Sequence, residues 1–288
     1  MNDNATQTWR QLLCDLLAGG VPVEQGSAGA AFRGRTSYEL LAHRTVWPLD
    51  NPLVLCPNRK LGFRFMAAEA AWVLSGSNRL DEILPYARQL GKLSDDGIFM
   101  AGAYGPPFVE QLPYVIAALN RDRWTRQAVT TIWRPRPGQG RDLPCTVALQ
   151  WMIRPVDGHD TLYCIASMRS SDAWLGVPYD IHTFAMCTAY VALLLPGPVH
   201  LGNLYLTAGS QHLYALDREP AFACVWEPSG SDQSRELPRT DELLDVAPLD
   251  LGQLTAPRDL ITHLWGIAER DRSKLRCDWL VETLEGEA

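Results

Sequence analysis

Helical and strand-like segments are mixed along the 288 residues, which predicts an α+β fold. Two observations carry the prediction. Apolar residues recur at intervals of three and four in residues 9–17, 65–73 and 111–119, as in helices with one buried face. Runs at 38–45, 128–133, 144–153, 162–167 and 200–207 are instead rich in residues that suit strands. Nothing along the chain marks an internal boundary or a repeat, so residues 1–288 read as a single domain.

Composition excludes several classes. With 47% hydrophobic and 20% charged residues the chain is globular rather than disordered. A net charge of -7 argues against general binding of nucleic acid or membrane surfaces, although a local basic pocket can survive in an acidic protein. The seven cysteines form no CxxC pair and no histidines cluster at metal-ligand spacing, so neither a zinc site nor a disulfide framework is expected. The odd cysteine count, with no leader pattern, gives a reducing cytoplasm as the expected location. The most apolar stretch, 184–195, stops at Pro196, too short for a membrane span.

Taken in order, the first helix ends at Gly19-Gly20 and is followed by Phe32-Arg33-Gly34-Arg35-Thr36-Ser37. Such basic, hydroxyl-rich loops are most often solvated turns; the other reading is a phosphate-binding loop using Arg33 or Arg35. The helix at 63–74 places Glu69 among apolar neighbours, where a carboxylate must face water or a polar site. Tyr104-Gly105-Pro106-Pro107 reads as a turn. Arg126, between a helix and a strand, suits an anion or interface contact. Cys145 heads a strand and is either an inert small hydrophobe or a nucleophile that needs a donor-rich neighbourhood. The run from Met168 to Phe184 concentrates Arg169, Ser170, Ser171, Asp172, a turn at Gly176-Val177-Pro178, and Asp180. After the strand at 200–207, residues 208–214 read as a turn back, with His212 and Tyr214 two apart and on one face. From 218 onward no chemistry is legible; a loop at 228–239, a helix near 258–270 and an acidic end at 282–287 are expected.

These pieces together resemble the thymidylate synthase family, in the family's order from about Arg33 to Asp217. Pro144-Cys145 with Gln150 resembles the nucleophile strand. Arg169-Ser170-Ser171-Asp172 with Leu175-Gly176-Val177-Pro178 resembles the family's most characteristic run, and Gly209 to Tyr214 its sugar-binding turn. Glu69 with Trp72 and Ser75-Gly76-Ser77-Asn78, Tyr104-Gly105, and Arg126 before a strand complete the set. The resemblance implies a two-layer fold, with a large mixed sheet forming a dimer interface and helices on its other face. It implies that Cys145 attacks C6 of a pyrimidine nucleoside monophosphate, whose C5 then takes the one-carbon unit of 5,10-methylenetetrahydrofolate. Glu69, Tyr104 and Asp180 would be the other catalytic groups. Substrate would be held by Arg33 or Arg35, Arg126 of a second subunit, Gln150, Arg169, Ser170, Ser171, Asp180, His212 and Tyr214. Asp172, Leu175 and Gly176 would face the folate, and no metal is implied. The phosphate-binding arginines would also lower the pKa of the cysteine.

Departures from the family sharpen the expectation. Asp180 stands where thymidylate synthases have asparagine, and a carboxyl sharing a proton with N3 can accept from the N4 amino group of cytosine. An N-cap role for Asp180 is the plainer alternative. The exchange matches the cytidylate hydroxymethylase branch, so the expected reaction is 5-hydroxymethylation of dCMP or CMP. Thr146 replaces a usual histidine, Gln127 a second arginine, and the charged end at 282–288 an apolar tail. A wetter site would let water rather than hydride finish the reaction. A divergent thymidylate synthase acting on dUMP, or a non-catalytic nucleotide-binding relative, are the competing expectations.

Overall fold

The computed structural model describes residues 5–24, 36–56, 58–135, 140–226 and 256–269. Six strands form one mixed sheet: β1 (Val21–Glu24), β2 (Thr36–Pro48), β3 (Val129–Thr131), β4 (Thr146–Val156), β5 (His159–Asp172) and β6 (His200–Tyr214). Their order is β1-β2-β6-β5-β4-β3. Only β5 and β6 run parallel. A parallel pair needs a crossover, here α5 (Val177–Leu194). That helix is covered on all sides, with Ile181, Phe184, Ala185 and Val191 fully buried, which explains why its sequence is apolar around its whole circumference.

The helical layer completes the fold. α2 (Phe63–Leu74) packs against α5, α4 (Gly105–Arg121) and α7 (Pro257–Ala268), while α1 (Ala5–Gly19) covers β2 and contacts α6 (Arg218–Trp226). Beneath the helices the sheet contributes Trp151, Ile153, Cys164, Ala166, Leu204 and Leu206, all fully buried. The opposite face is open: Tyr163 stacks on Tyr205 at 6.1 Å, Arg44 lies over Tyr205 at 4.8 Å, and Val46 is exposed. An α+β architecture with helices on one face is therefore present. No helix among the described residues is long and apolar enough to cross a membrane.

The strand alternation changes phase where the site forms. On β5 the buried residues Ala166 and Met168 are followed by Ser171, and on β6 Ala208 is followed by Gln211 and Leu213. Ladder pairing skips Ala42 opposite Gly209, and Ala42 has φ 49°. The register is the same on either side, so the ladder is distorted locally without an inserted residue. A Cβ on Gly209 would lie 2.9 Å from the Arg169 carbonyl oxygen, so glycine permits this close approach.

Two local expectations are corrected. Tyr104 to Pro107 is not a free turn but the start of α4, where the missing N–H groups of proline cost nothing. Residues 208–214 do not turn back: β6 is central, with partners on both edges, and the ladders override the Gly-Ser turn signal. The polar segment before Gly97 holds a short helix, α3 (Leu80–Ile83), whose Leu80 and Ile83 are buried. Arg33, Arg35, the 228–239 loop and the acidic end lie outside the described residues.

Candidate active site

Cys145 is the residue before β4, and its carbonyl accepts the Arg169 amide at 2.8 Å. The Arg169 guanidinium reaches back from β5 to the two carbonyls ahead of the cysteine, Nε to Pro144 at 3.0 Å and Nη2 to Leu143 at 3.0 Å, and lies over the Trp133 ring. It thereby clamps the segment that presents the thiol. Burial pushes the Cys145 thiol up; Arg169 pulls it down, but Asp180, Asp142 and Asp172 push it up again. Of the arginines expected to activate it, only Arg169 acts on the thiol among the described residues of this one chain. One arginine among the described residues does not outweigh burial and three carboxylates.

A cavity of about 150 Å³ is lined by Glu69, Trp72, Met100, Tyr104, Asp142, Asp180 and Thr183, among others; Cys145 is not one of its lining residues, but its thiol is close enough to Tyr104, Asp142 and Asp180 for their charges to act on one another. Glu69 extends from α2 into the cavity. Burial raises its carboxyl to about 7, opposed by a hydrogen bond with Thr183. Asp180 is raised well above the usual carboxylate range by burial first, then by Glu69 and Asp172. Both carboxyls keep some accessible surface because they line the cavity, yet protein surrounds them on every other side. Tyr104, at the start of α4, accepts the Thr146 amide at 3.3 Å. Its phenol is pushed up by burial and by the charges of Asp180 and Cys145. Cys145, Glu69, Tyr104 and Asp180, drawn from four separate segments, therefore meet at one place.

The N-cap alternative for Asp180 is set aside. The N-cap of α5 is Gly176, and Asp180 lies in the first turn, donating its amide to the Gly176 carbonyl at 2.9 Å. A Cβ on Gly176 would meet the Asp172 carbonyl at 3.0 Å and an Asp180 carboxylate oxygen at 3.2 Å. Glycine at this position lets the carboxyl fold into the cavity. Asp172 organises the adjoining wall: its Oδ1 accepts the amides of Trp174 at 2.8 Å and Leu175 at 3.1 Å. Leu175 is exposed at the rim.

A second row runs along β5 and β6. Parallel register pairs Ser170 with Ser210 and Asp172 with His212. The Ser170 hydroxyl and His212 Nδ1 share a hydrogen bond at 3.3 Å, and His212 meets Tyr214 edge-on at 5.1 Å. Ser171 points the other way: it is buried and its carbonyl accepts from Gln211 at 2.9 Å, so it supports the row without joining it. Arg126 is exposed before β3. Gln150 is not brought to the cavity; its Nε2 donates to the Arg126 carbonyl at 2.8 Å, roughly 16 Å along the strand from Cys145 at about 3.3 Å per residue. The Gln127 side-chain oxygen Oε1 accepts from Arg121 Nη2 at 3.1 Å.

Three site residues escaped the sequence reading. Asp142 lines the cavity and accepts the Gly102 amide at 2.6 Å; its position three residues before Cys145 was the available signal. Thr183 lies one helical turn beyond Asp180. Glu39, which accepts the Ser210 hydroxyl, lies opposite His212 on β2 and carried no local signal. Among the described residues no group of three or more His, Cys, Asp or Glu is arranged to hold a metal ion.

Comparison with known proteins agrees with this arrangement. Residues 22–259 match the family described as thymidylate synthase. A deoxyuridylate hydroxymethyltransferase of Pseudomonas phage M6 is 35% identical over 137 residues, 44% of this chain and 38% of that protein. The deoxyuridylate hydroxymethyltransferase of Bacillus phage SP01 is 27% identical over 172 residues, 53% of this chain and 44% of that protein. The chain thus spans about two fifths of the length of these relatives. Because the family match covers most of the sequence and all the residues of the cavity, the chain belongs to the thymidylate synthase family.

Proposed function

We propose that the protein is a one-carbon transferase that converts a pyrimidine nucleoside monophosphate to its 5-hydroxymethyl derivative, with dCMP as first substrate and CMP next. The observation that carries this reading is the Asp180 carboxyl, buried beside Glu69 at the nucleophile and strongly inclined to keep its proton. In that form it donates through O–H to N3 of cytosine and accepts from the N4 amino group. The same protonated carboxyl, turned over, accepts from N3–H and donates to O4 of uracil. A second reading, hydroxymethylation of dUMP, is therefore supported by the chemistry of Asp180 and by the names of the two phage relatives.

The residues divide the work. Methylenetetrahydrofolate, bound against Asp172, Leu175 and Gly176, would supply the one-carbon unit. Cys145 adds to C6 and makes C5 nucleophilic toward that unit. Arg169, Ser170 and Arg126 hold the 5'-phosphate, with Arg33 or Arg35, while His212 and Tyr214 contact the sugar. With its pKa about 7, Glu69 can give or take a proton at neutral pH. Loss of the C5 proton expels tetrahydrofolate as the bond from the methylene carbon to the folate nitrogen breaks, water adds to the exocyclic methylene so formed, Cys145 departs from C6, and the net gain is CH2O. The cavity of about 150 Å³, mostly apolar but with Glu69, Tyr104, Asp142 and Asp180 on its wall, has room for that water. The open sheet face bearing Tyr163, Tyr205 and Arg44 is the proposed contact with a second copy, across which the exposed Arg126 reaches.

Incubation with methylenetetrahydrofolate and dCMP, CMP or dUMP, followed by weighing the products, tests the reading. A gain of CH2O on a cytosine nucleotide is expected. Gain of CH2, or turnover of dUMP alone, contradicts the cytidylate assignment, and absence of any C5-hydrogen exchange contradicts catalysis altogether.

A further inference from the structure

We propose that Cys56 and Cys224 form a reversible intramolecular disulfide, a modification site separate from the Cys145 cavity. Cys56 lies on the segment between β2 and α2, and Cys224 in α6; neither lines the cavity. The Cys224 thiol hydrogen-bonds to the Cys56 sulfur, which brings the two sulfurs together in the folded chain. Their segments are also tied by Asn58 Nδ2, which donates to the Ala223 carbonyl at 3.3 Å.

The surroundings are those of a thiolate rather than of two packing thiols. Arg10 Nη2 lies 3.8 Å from Cys56 Sγ, and Arg59 brings a second positive charge near Cys224. Both cysteines are almost fully buried, at 2% and 0% exposure. An apolar core gains nothing from burying a guanidinium against a neutral sulfur, because the cation loses hydration without a countercharge. Against a thiolate the same contact is favourable. The hydrogen bond from Cys224, joined by those from Arg10 and the Asn58 amide, holds Cys56 at about 6 despite burial, while Cys224 is pushed far up. The pair is thus a nucleophile and a resolving thiol in contact.

With a peroxide as oxidant, the Cys56 thiolate attacks one peroxide oxygen, the O–O bond breaks, and hydroxide leaves. The sulfur gives up two electrons and becomes a sulfenic acid. Cys224 then attacks that sulfur, the S–O bond breaks, the Cys224 proton joins the departing hydroxide as water, and the disulfide closes. A small thiol reverses the reaction.

The test uses the full-length protein, treated with a small excess of hydrogen peroxide, alkylated under denaturing conditions and digested without reductant. The expected product is one peptide joining Cys56 to Cys224, two hydrogens lighter than the separate peptides and lost on adding dithiothreitol. In Cys224→Ser, Cys56 should instead accumulate as a sulfenic acid that a dimedone probe captures. Recovery of both cysteines as alkylated thiols from the oxidised wild-type protein, or pairing of either with another cysteine, would overturn the proposal without any variant having to fold. Because the readout is a linked peptide, it is independent of the hydroxymethylase reading.

Discussion

Cys145 and Cys56 each lie near an arginine, yet their thiols are driven in opposite directions. Cys145 faces three carboxylates and is pushed up by burial in spite of Arg169, whereas Cys56 is held at about 6 by donors that point at its sulfur. At Cys145 the arginine spends two of its N–H groups on the carbonyls of Pro144 and Leu143. A nearby positive charge therefore does not by itself make a thiolate; what counts is donors on the sulfur and how many negative groups share the space.

The largest effect should come from exchanging the two cysteines' fates. Cys145→Ala should lower hydroxymethylation by at least ~10³-fold, as loss of a covalent nucleophile does, while Cys56→Ala should leave kcat within a factor of a few. Equal losses in the two variants, measured by release of the C5 hydrogen, would erase the distinction between them. Glu69→Gln comes next, with an expected fall in kcat of about 10²-fold or more from loss of a proton-transfer group.

Glu69 also gives a pH test whose sign is fixed. Its carboxyl is raised from 4.5 to about 7 in the folded protein. The native state therefore holds the proton more tightly than the unfolded chain, so the stabilising contribution is full below pH 4.5 and fades as pH rises through 7. Compared with wild type, Glu69→Gln should gain stability between pH 5 and 8, by at most about 3 kcal/mol at roughly 1.4 kcal/mol per pKa unit. Parallel denaturant melts that keep a constant gap across that range would show that Glu69 is not buried as described.

Smaller effects probe the walls. Asp180→Asn should move the ratio of kcat/KM for dCMP over dUMP toward uracil by about tenfold or more, since a misplaced donor or acceptor costs ~1–3 kcal/mol. An unmoved ratio would remove Asp180 from base recognition. The smallest expected change is at Arg10. Because the Cys224 hydrogen bond is the leading influence on Cys56 and Arg10 a lesser one, Arg10→Gln should shift the pH midpoint of Cys56 alkylation upward by less than Cys224→Ser does.

Much of the Cys145 region was legible in the sequence because its signals are local. Arg169 to Asp180 is one continuous run, and Glu69 stands out as a carboxylate in an apolar helix. The strength of Asp180's proton retention was not legible, since it depends first on burial by the packed elements and then on Glu69 arriving from another helix. Nor was the length of β6, whose Gly-Ser pair is a turn signal overruled by ladders on both sides. Gln150 read as a substrate contact because strand position alone does not say that its amide is used by Arg126. The Cys56–Cys224 contact was invisible: the spacing follows no motif, and the odd cysteine count read as a sign of a reducing compartment without a disulfide framework. Such pairs depend on long-range packing, here of α6 against the segment before α2.

The most direct test of the central claim follows one oxygen atom. The reaction with methylenetetrahydrofolate and dCMP is run in ¹⁸O-labelled water, and the nucleotide product is weighed. Water addition at the Cys145 cavity predicts a gain of CH2O bearing the heavy oxygen, dependent on both the folate and Cys145. A product that gains only CH2, or an unlabelled or Cys145-independent hydroxymethyl group, would contradict the account.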